Sequence, residues 1–287
     1  MLKTDRELNQ FQYIFMGGIM GEILALPFVG NYLKVNQTLL SYMGIEDVDC
    51  YFPNSFMAAE KNADVIQEYL SELFAVKKKK FIIFCHSKAC LEILFSLINH
   101  FPLFEKMVEK VICVNPPFQG SSLFDNHKKH WFGRTTYPLL RTVSEVWPGL
   151  KCLEKGTYAD KLTQGINGNL AIKAWAKEKL LVVTGAKQDS SDVSWVIRLS
   201  HEMMGKNEPS DGLVKLTDQI LPDVEYKKLH LNMDHSDFFT STNLSNKNDK
   251  YREHVLFEII KWASTEVQEH LPNPKHTDSE LFMHLLC

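Results

Sequence analysis

The stretch Phe81-Ile82-Ile83-Phe84-Cys85-His86-Ser87-Lys88-Ala89-Cys90-Leu91 decides the fold of this 287-residue chain. Its first five residues are apolar without interruption, which predicts a central strand buried on both faces of a parallel sheet. Residues Lys88–Asn99 are helical in character, and His100-Phe101-Pro102 ends that helix. The strand therefore passes into a helix within a few residues, and Ser87 lies on the sharp turn between them.

Strand-like and helical segments alternate along the rest of the chain. The other predicted strands are Tyr13–Met16, Val48–Phe52, Lys110–Val114, Leu180–Thr184 and Val224–Leu231. Helical spacing or patches occur at residues 22–42, 56–75, 137–147, 169–178, 193–204 and 251–270. This alternation predicts an α/β fold with a mainly parallel central sheet.

Composition and charge exclude several classes of protein. Hydrophobic residues make up 45% of the chain and charged residues 23%, as in ordinary globular proteins. The net charge of −3 does not suggest the basic face that a nucleic-acid partner requires. No apolar run reaches the roughly 18 residues of a transmembrane span. The charged start Met1–Glu7 does not resemble a secretory signal, so we expect a cytoplasmic protein, with signal-independent export left open.

The cysteines do not form a pattern that would bind a metal. The chain has six, and none belongs to a Cys-x-x-Cys pair. Cys85 and Cys113 lie within apolar strands, where free cysteine behaves as a small apolar residue. We therefore expect reduced structural thiols, no zinc site and no cofactor.

The segment Cys85–Ala89 resembles the nucleophile elbow of the α/β-hydrolases, in particular the lipase-like form Gly-His-Ser-x-Gly. In that motif the serine lies on a strained turn whose neighbours must be small, so that its hydroxyl is exposed. Cys85 and Ala89 stand at the two glycine positions of the motif. The resemblance implies that Ser87 is a nucleophile; the alternative is an ordinary serine helix cap.

The resemblance also implies an acid and then a histidine downstream of the serine. Pro209–Val214 is similar to the Asp-Gly-Leu-Val segment that carries the acid in several lipases, and Asp234–Asp237 is similar to the loop that carries their histidine. The expected acid is therefore Asp211 and the expected base His235, although Asp-Gly is also a plain turn sequence. The competing acids are Asp189, Asp192 and Asp234, and the competing bases are His230 and His254.

The glycine turn Met16-Gly17-Gly18-Ile19 is similar to the oxyanion loop of lipases. Glycines allow backbone amides to approach a ligand closely. The resemblance assigns one oxyanion donor to Gly18 or Ile19 and the second to the Lys88 amide. A dinucleotide-binding turn could begin in the same way, but the full Gly-x-Gly-x-x-Gly pattern is missing.

The chain is predicted to form a single domain, residues 1–287, with residues 121–178 inserted as a helical cap and residues 272–287 as a tail. Val114–Ser122 resembles the Pro-x-x-Gly-Ser stretch that lipases place at the mouth of the site. The candidate substrate-binding residues are His86, Phe118, Trp131 and Trp147. The apolar cap residues, which include Leu150, could equally pack within a cap or core.

The resemblance implies an α/β-hydrolase fold, with helices on both faces of the sheet, and hydrolysis of a carboxylic ester through an acyl-enzyme on Ser87. An acyl-ester or lipid substrate and peripheral contact with a membrane agree with it. A catalytically silent binding protein of the same fold is one alternative, motivated by Cys85 and Ala89. A thioesterase or acyltransferase is another. Some lipases bind calcium through an acid placed like Asp237, but one acid does not make such a site, so we expect no metal.

Overall fold

The computed structural model describes residues 8–19, 32–121, 148–187, 193, 198, 201–202, 208–239 and 246–264. Six strands form one sheet: β1 (Gln12–Met16), β2 (Val48–Tyr51), β3 (Phe81–His86), β4 (Val108–Val114), β5 (Leu180–Gly185) and β6 (Lys227–Leu231). Each coincides with a predicted strand to within a few residues at either end.

All neighbouring strands of the sheet run parallel, in the order β2-β1-β3-β4-β5-β6. The predicted parallel α/β architecture is therefore confirmed. The strand order changes direction at β1, because β2 lies on one side of it and β3 on the other. In open parallel sheets, ligands bind beyond the carboxyl ends of the strands at such a switch point.

The described helices are α1 (Lys34–Tyr42), α2 (Ala59–Lys77), α3 (Lys88–Asn99), α4 (Phe101–Met107), α5 (Pro148–Lys151), α6 (Ala159–Asn167), α7 (Leu170–Lys179) and α8 (Asn246–Ala263). Helices α2, α3, α7 and α8 lie where helical spacing predicts them, and α1 lies within the predicted helical patches. The short helices α4 and α6 were not predicted. The predicted helical segment 137–147 lies outside the described residues, and so does most of the segment 193–204. None of the described helices is long and apolar enough to cross a membrane.

Two apolar clusters form the core, one on each face of the sheet. Alternate strand residues supply them, so that Ile83 and Cys85 contact one cluster and Ile82 and Phe84 the other. Helices α2, α3, α4, α6 and α7 cover the first face. Helices α1 and α8 contribute to the second. Both faces of the inner strands β1, β3, β4 and β5 are therefore buried, which explains apolar runs such as Phe81–Cys85.

The predicted insertion and tail are described only in part. Residues 122–147 and 265–287 lie outside the described residues. Helices α6 and α7, from the later part of the proposed insertion, contribute Leu162, Ile166, Ile172 and Trp175 to the first core cluster. The cap and the tail stay predictions.

Candidate active site

Ser87 lies between the last residue of β3 and the first residue of α3, at the switch point of the sheet. Its backbone has φ 55° and ψ −125°, a left-handed conformation that residues other than glycine rarely adopt. The Ser87 amide donates to the Val114 carbonyl of β4 at 3.1 Å, and the Ser87 carbonyl accepts from the Cys90 amide at 3.0 Å. These two bonds hold the strained turn.

The residues at the two glycine positions of the elbow are accommodated in the core. Cys85 and Ala89 are both fully buried and belong to the first core cluster. The Cys90 thiol lies 3.3 Å from the Cys85 carbonyl. A left-handed Ser87 between strand and helix therefore forms here with cysteine and alanine in place of glycine.

Gly18, in the loop after β1, lies against the serine. A Cβ atom placed on Gly18 would lie 2.9 Å from the Ser87 Cβ and 3.0 Å from the His86 carbonyl oxygen. Any side chain larger than hydrogen would push the two segments apart. The glycine at position 18 is thus explained by the close approach of the loop to the turn at Ser87, and Gly17 by the rings of Phe52 and Tyr32, which a Cβ atom would approach to 2.8 and 3.0 Å.

Asp211 is completely buried in the turn Asp211–Val214. Its Oδ1 accepts from the amides of Leu213 at 2.8 Å and Val214 at 2.7 Å. Gly212, at φ 97°, supplies the left-handed position of this turn. Two backbone donors therefore hold the carboxylate and leave Oδ2 for another partner.

That partner is His235, whose Nδ1 lies 2.7 Å from the Asp211 Oδ2. The His235 amide also donates to the Asp211 carbonyl at 2.7 Å. A carboxylate on Nδ1 fixes the neutral imidazole as the tautomer with its proton on Nδ1, so that Nε2 is the basic nitrogen. The structure thus brings together the acid and the base expected from the sequence.

The competing acid and bases lie in other surroundings. Asp234 Oδ1 accepts from the backbone of Ser236 and Asp237 at 2.8 and 2.9 Å. His230 lies on β6, with its Nδ1 3.1 Å from the Thr184 hydroxyl. His254 is exposed on α8. Asp189 and Asp192 lie outside the described residues.

A chain of hydrogen bonds joins the glycine loop to the His235 loop through two buried side chains, Tyr32 and His86. The Gly18 amide donates to the Tyr32 hydroxyl at 2.9 Å, and that hydroxyl lies 2.5 Å from the His86 Nδ1. The His86 Nε2 lies 2.7 Å from the His235 carbonyl oxygen. Burial, and secondly the nearby His235, holds the pKa of His86 well below its usual range. His86 is therefore neutral at physiological pH.

A cavity of about 250 Å³ opens on Ser87 and His235. Its other lining residues are Gly18, Ile19, Tyr32, His86, Pro117, Ser121, Leu150, Leu153, Leu213 and Val214. The walls away from the serine and histidine are mainly aliphatic. The Ser121 hydroxyl donates to the Leu213 carbonyl at 2.5 Å, which joins two segments of the wall.

The four predicted substrate-binding residues are distributed differently from expectation. His86 lines the cavity, but both of its ring nitrogens contact protein groups. Phe118 does not line the cavity; it is 1% exposed and packs in the first core cluster, where its ring gains more from burial. Its neighbour Pro117 is at the cavity instead. Trp131 and Trp147 lie outside the described residues.

The Lys88 side chain is buried beneath the elbow, although only its amide was expected to matter. Its ammonium pairs with the Glu92 carboxylate one turn along α3, and both side chains are almost fully buried. Glu92 also accepts from the Asn62 amide of α2 at 2.7 Å. The charge of Lys88 is therefore neutralised inside the protein.

The histidine loop carries a second titratable group, Asp237. Its Oδ2 accepts from the Asp234 amide at 2.9 Å, and the Lys187 ammonium lies 3.7 Å away. Burial, with the Asp234 carboxylate nearby, raises the pKa of Asp237 to about 6. Within the described part of the chain, no group of three or more His, Cys, Asp or Glu side chains is placed to hold a metal ion.

Tyr32 is the site residue that sequence reasoning missed. It lies just before α1, far from every motif, and nothing in its neighbourhood marks it as different from a core tyrosine. Leu153 was missed as well, while Leu150 was among the candidate pocket residues. A contact that depends on the folding of distant segments leaves no local pattern in the sequence.

Comparisons with known proteins agree on the fold. No protein-family model matches the sequence, and no curated protein matches it. A metagenomic carboxyl esterase structure is similar, with a TM-score of 0.66 and 17% identity, over 89% of this chain and 76% of that one. The mature lipase BlEst2 of Bacillus licheniformis has a TM-score of 0.61 and 17% identity, over 90% of this chain and 93% of that one.

Phospholipase PlaB of Legionella pneumophila is a third similar structure. Its TM-score is 0.60 at 14% identity, over 88% of this chain and 60% of that one. Together with the six-stranded parallel sheet, these likenesses show that the chain has the α/β-hydrolase fold.

Proposed function

We propose that this protein is a serine ester hydrolase of the lipase or esterase type, with Ser87 as nucleophile, His235 as base and Asp211 as the acid that orients the base. One observation carries the proposal. A serine in a strained left-handed turn opens on the same cavity as a histidine whose Nδ1 lies 2.7 Å from a buried carboxylate. A core serine or an ordinary helix cap requires neither the strain nor the paired histidine.

In the acylation step, His235 Nε2 takes the proton of the Ser87 hydroxyl while the oxygen attacks the ester carbonyl. Asp211 keeps the proton of the neutral imidazole on Nδ1 and stabilises the imidazolium that forms. The imidazolium then donates its new proton to the leaving alcohol. In the second step His235 activates water, which releases the acid from Ser87.

Backbone amides would stabilise the tetrahedral oxyanion. The Lys88 amide lies at the N-terminus of α3, where amides are free of helical partners and the helix dipole is positive. The second donor comes from the glycine loop. Since the Gly18 amide already donates to Tyr32, we assign this role to the amide of Ile19, which lines the cavity.

The lining of the cavity favours an apolar acyl group. Ile19, Leu150, Leu153, Leu213 and Val214 surround the serine and histidine, and burying a methylene against such side chains stabilises binding by about 0.8 kcal/mol. Esters with an aliphatic acyl chain therefore fit the site better than short polar ones. The similar structures, an esterase, a lipase and a phospholipase, agree with this class of substrate.

The test is hydrolysis of p-nitrophenyl esters with acyl chains of increasing length, beside thioesters of the same acids. We expect ester hydrolysis that rises with chain length to a maximum and is abolished in Ser87→Ala. The matched control is Ser96→Ala, a buried serine within α3 that bonds Gln67 at 3.2 Å. Preference for the thioesters would reassign the substrate class. No hydrolysis of any ester by folded wild-type protein would favour a silent binding protein.

A further inference from the structure

We propose that Tyr32 and His86 are positioning residues that fix the oxyanion loop, Gly17–Ile19, against the base loop, Asp234–Asp237. The inference rests on the function proposed above. Neither side chain takes part in the chemistry. Their role follows from a hydrogen-bonded chain whose direction is set at every step.

The donor and acceptor at each step of this hydrogen-bond chain follow from the groups at its two ends. The His235 carbonyl can only accept, so the His86 Nε2 carries the proton and donates to it. Because His86 is neutral, its Nδ1 is then unprotonated and accepts from the Tyr32 hydroxyl. The hydroxyl oxygen is left to accept, and it takes the Gly18 amide. With a neutral His86, each group has one role, and no other arrangement satisfies all three bonds.

At the oxyanion loop, the hydrogen bond from Gly18 to Tyr32 sets the orientation of the glycines. The Gly18 amide points at the Tyr32 oxygen and is unavailable to a ligand. The peptide that follows carries the Ile19 amide, and its orientation depends on where the preceding peptide is held. A loop of two glycines has wide conformational freedom, so an external anchor is needed to keep this donor in place. Tyr32, 2% exposed and packed against Phe239 and Phe52, is a rigid anchor.

At the base end, the chain completes the support of His235. Asp211 binds the His235 amide and Nδ1, and His86 binds its carbonyl oxygen. These contacts leave Nε2 as the ring nitrogen available to Ser87. Since His86 directly precedes the nucleophile, one residue links the elbow to both loops. These bonds hold the turn at Ser87, the oxyanion loop and the base loop in fixed positions relative to one another.

This geometry argues against substrate binding by His86, which the sequence suggested. The side chain is 5% exposed, and both nitrogens are bonded within the protein. A substrate contact would have to break one of these bonds. Tyr32 is excluded as an oxyanion donor for the same reason, because its proton is committed to His86.

Three substitutions test the two halves of this hydrogen-bond chain separately. Tyr32→Phe removes the anchor of Gly18. His86→Asn keeps an oxygen close to the position of Nδ1 and can still accept from Tyr32, but it no longer reaches the His235 carbonyl. His86→Gln places an amide close to the position of Nε2 and can still donate to that carbonyl, but it loses Tyr32. Both replacements are polar, so neither leaves an apolar group facing the broken bond.

The measurements are kcat and KM for a p-nitrophenyl ester, with the active fraction of each preparation titrated by a fluorophosphonate. We expect each single variant to lower kcat per active site about 10-fold or more, with KM changed less than about 3-fold, because misplaced groups impair the transition state rather than substrate binding. In His86→Gln the bond between Tyr32 and His86 is already lost, so adding Tyr32→Phe removes only the bond from the Gly18 amide and lowers kcat by less than it does in the wild type. Adding Tyr32→Phe to His86→Asn, which keeps the bond to Tyr32, lowers kcat by as much as Tyr32→Phe does in the wild type.

The control is Tyr13→Phe, which removes the hydroxyl of another buried tyrosine in the same core cluster, bonded to the Leu8 carbonyl at 3.1 Å. It should change thermal stability but not kcat. Wild-type kcat per active site in all three variants would overturn the positioning role, as would equal effects of Tyr32→Phe in both backgrounds. If the wild-type protein hydrolyses the ester and the variants behave in this way, the positioning role is wrong but the proposed function stands. If the folded wild-type protein neither hydrolyses the ester nor reacts with the fluorophosphonate, the proposed function is wrong as well.

Discussion

At the scale of single residues, the site depends on how closely its backbone segments approach. The strained Ser87 and the bare Gly18 meet at a distance that leaves no room for a methyl group. Strain of this kind costs about 1–3 kcal/mol and persists only where the surrounding structure maintains it. Here the bonds from Ser87 to Val114 and Cys90 do so.

Gly18→Ala should therefore impair the chemistry more than the fold. The added Cβ would lie 2.9 Å from the Ser87 Cβ, so the oxyanion loop must move away from the serine. We expect kcat for ester hydrolysis to fall about 100-fold. The control is Gly165→Ala in α6, whose Cβ would lie 2.8 Å from an Ile98 carbon, equally crowded but away from the site. Equal kcat in Gly18→Ala and wild type would contradict the geometry.

Asp211→Asn tests the role of the buried acid. The asparagine oxygen can still accept from the Leu213 and Val214 amides, but the amide nitrogen then faces His235 and favours the wrong tautomer. We expect kcat to fall about 10²–10⁴-fold with the fold intact. Asp218→Asn, which changes another buried acid 3.3 Å from Lys155, is the control and should keep wild-type kcat. A loss below 3-fold in Asp211→Asn would point to another acid.

At the scale of elements, α3 carries a buried charge pair in its first turn, directly after Ser87. Lys88 and Glu92 are one turn apart, and Glu92 also binds Asn62 of α2. Removing one partner of a buried pair leaves an uncompensated charge, whereas replacing both with apolar residues is often tolerated. The pair thus ties the start of α3 to α2.

We expect Glu92→Gln to lower the free energy of unfolding by about 3–5 kcal/mol, as measured by urea denaturation. The double variant Lys88→Met/Glu92→Leu should lose less than the single one. The control is Glu60→Gln, which alters a carboxylate paired with the largely exposed Lys161. A loss of less than 1 kcal/mol in Glu92→Gln would show that the pair contributes little.

The elements were predictable to the extent that their sequence repeats a local pattern. The four inner strands were predictable because continuous apolar runs such as Phe81–Cys85 are typical of strands covered on both faces. Helix α6 was missed because its segment is mostly polar, and only Leu162 and Ile166 are anchored in the core. Ser87, His235 and Asp211 were singled out by motifs as site candidates. Tyr32 was not, because its contacts with Gly18 and His86 arise only from the packing of separate segments.

At the scale of the whole molecule, the sheet assembles the site from distant parts of the chain. The loops after β1 and β3 meet at the switch point, and the turn at Asp211 and the loop after β6 bring the acid and base to the same edge. The same edge buries Asp237, whose raised pKa makes the stability of the folded protein depend on pH.

The sign of that dependence follows from the pKa of Asp237, which is about 6 when folded against an ordinary 3.8. Between these values the folded protein holds a proton that the unfolded chain has released, so stability falls as pH rises through this window. Asp237→Asn cannot titrate. Relative to wild type, it should gain up to about 3 kcal/mol between about pH 4 and pH 7. Parallel curves of unfolding free energy against pH would contradict the shift.

The most direct test of the central claim is to map the adduct of a fluorophosphonate on the intact chain by mass spectrometry. Our account predicts a single covalent adduct on the peptide that carries Ser87, lost in Ser87→Ala and formed far more slowly in His235→Gln. Ser96→Ala should label like wild type. Folded wild-type protein that acquires no adduct, or acquires it on another residue, would contradict the assignment of Ser87 as an activated nucleophile.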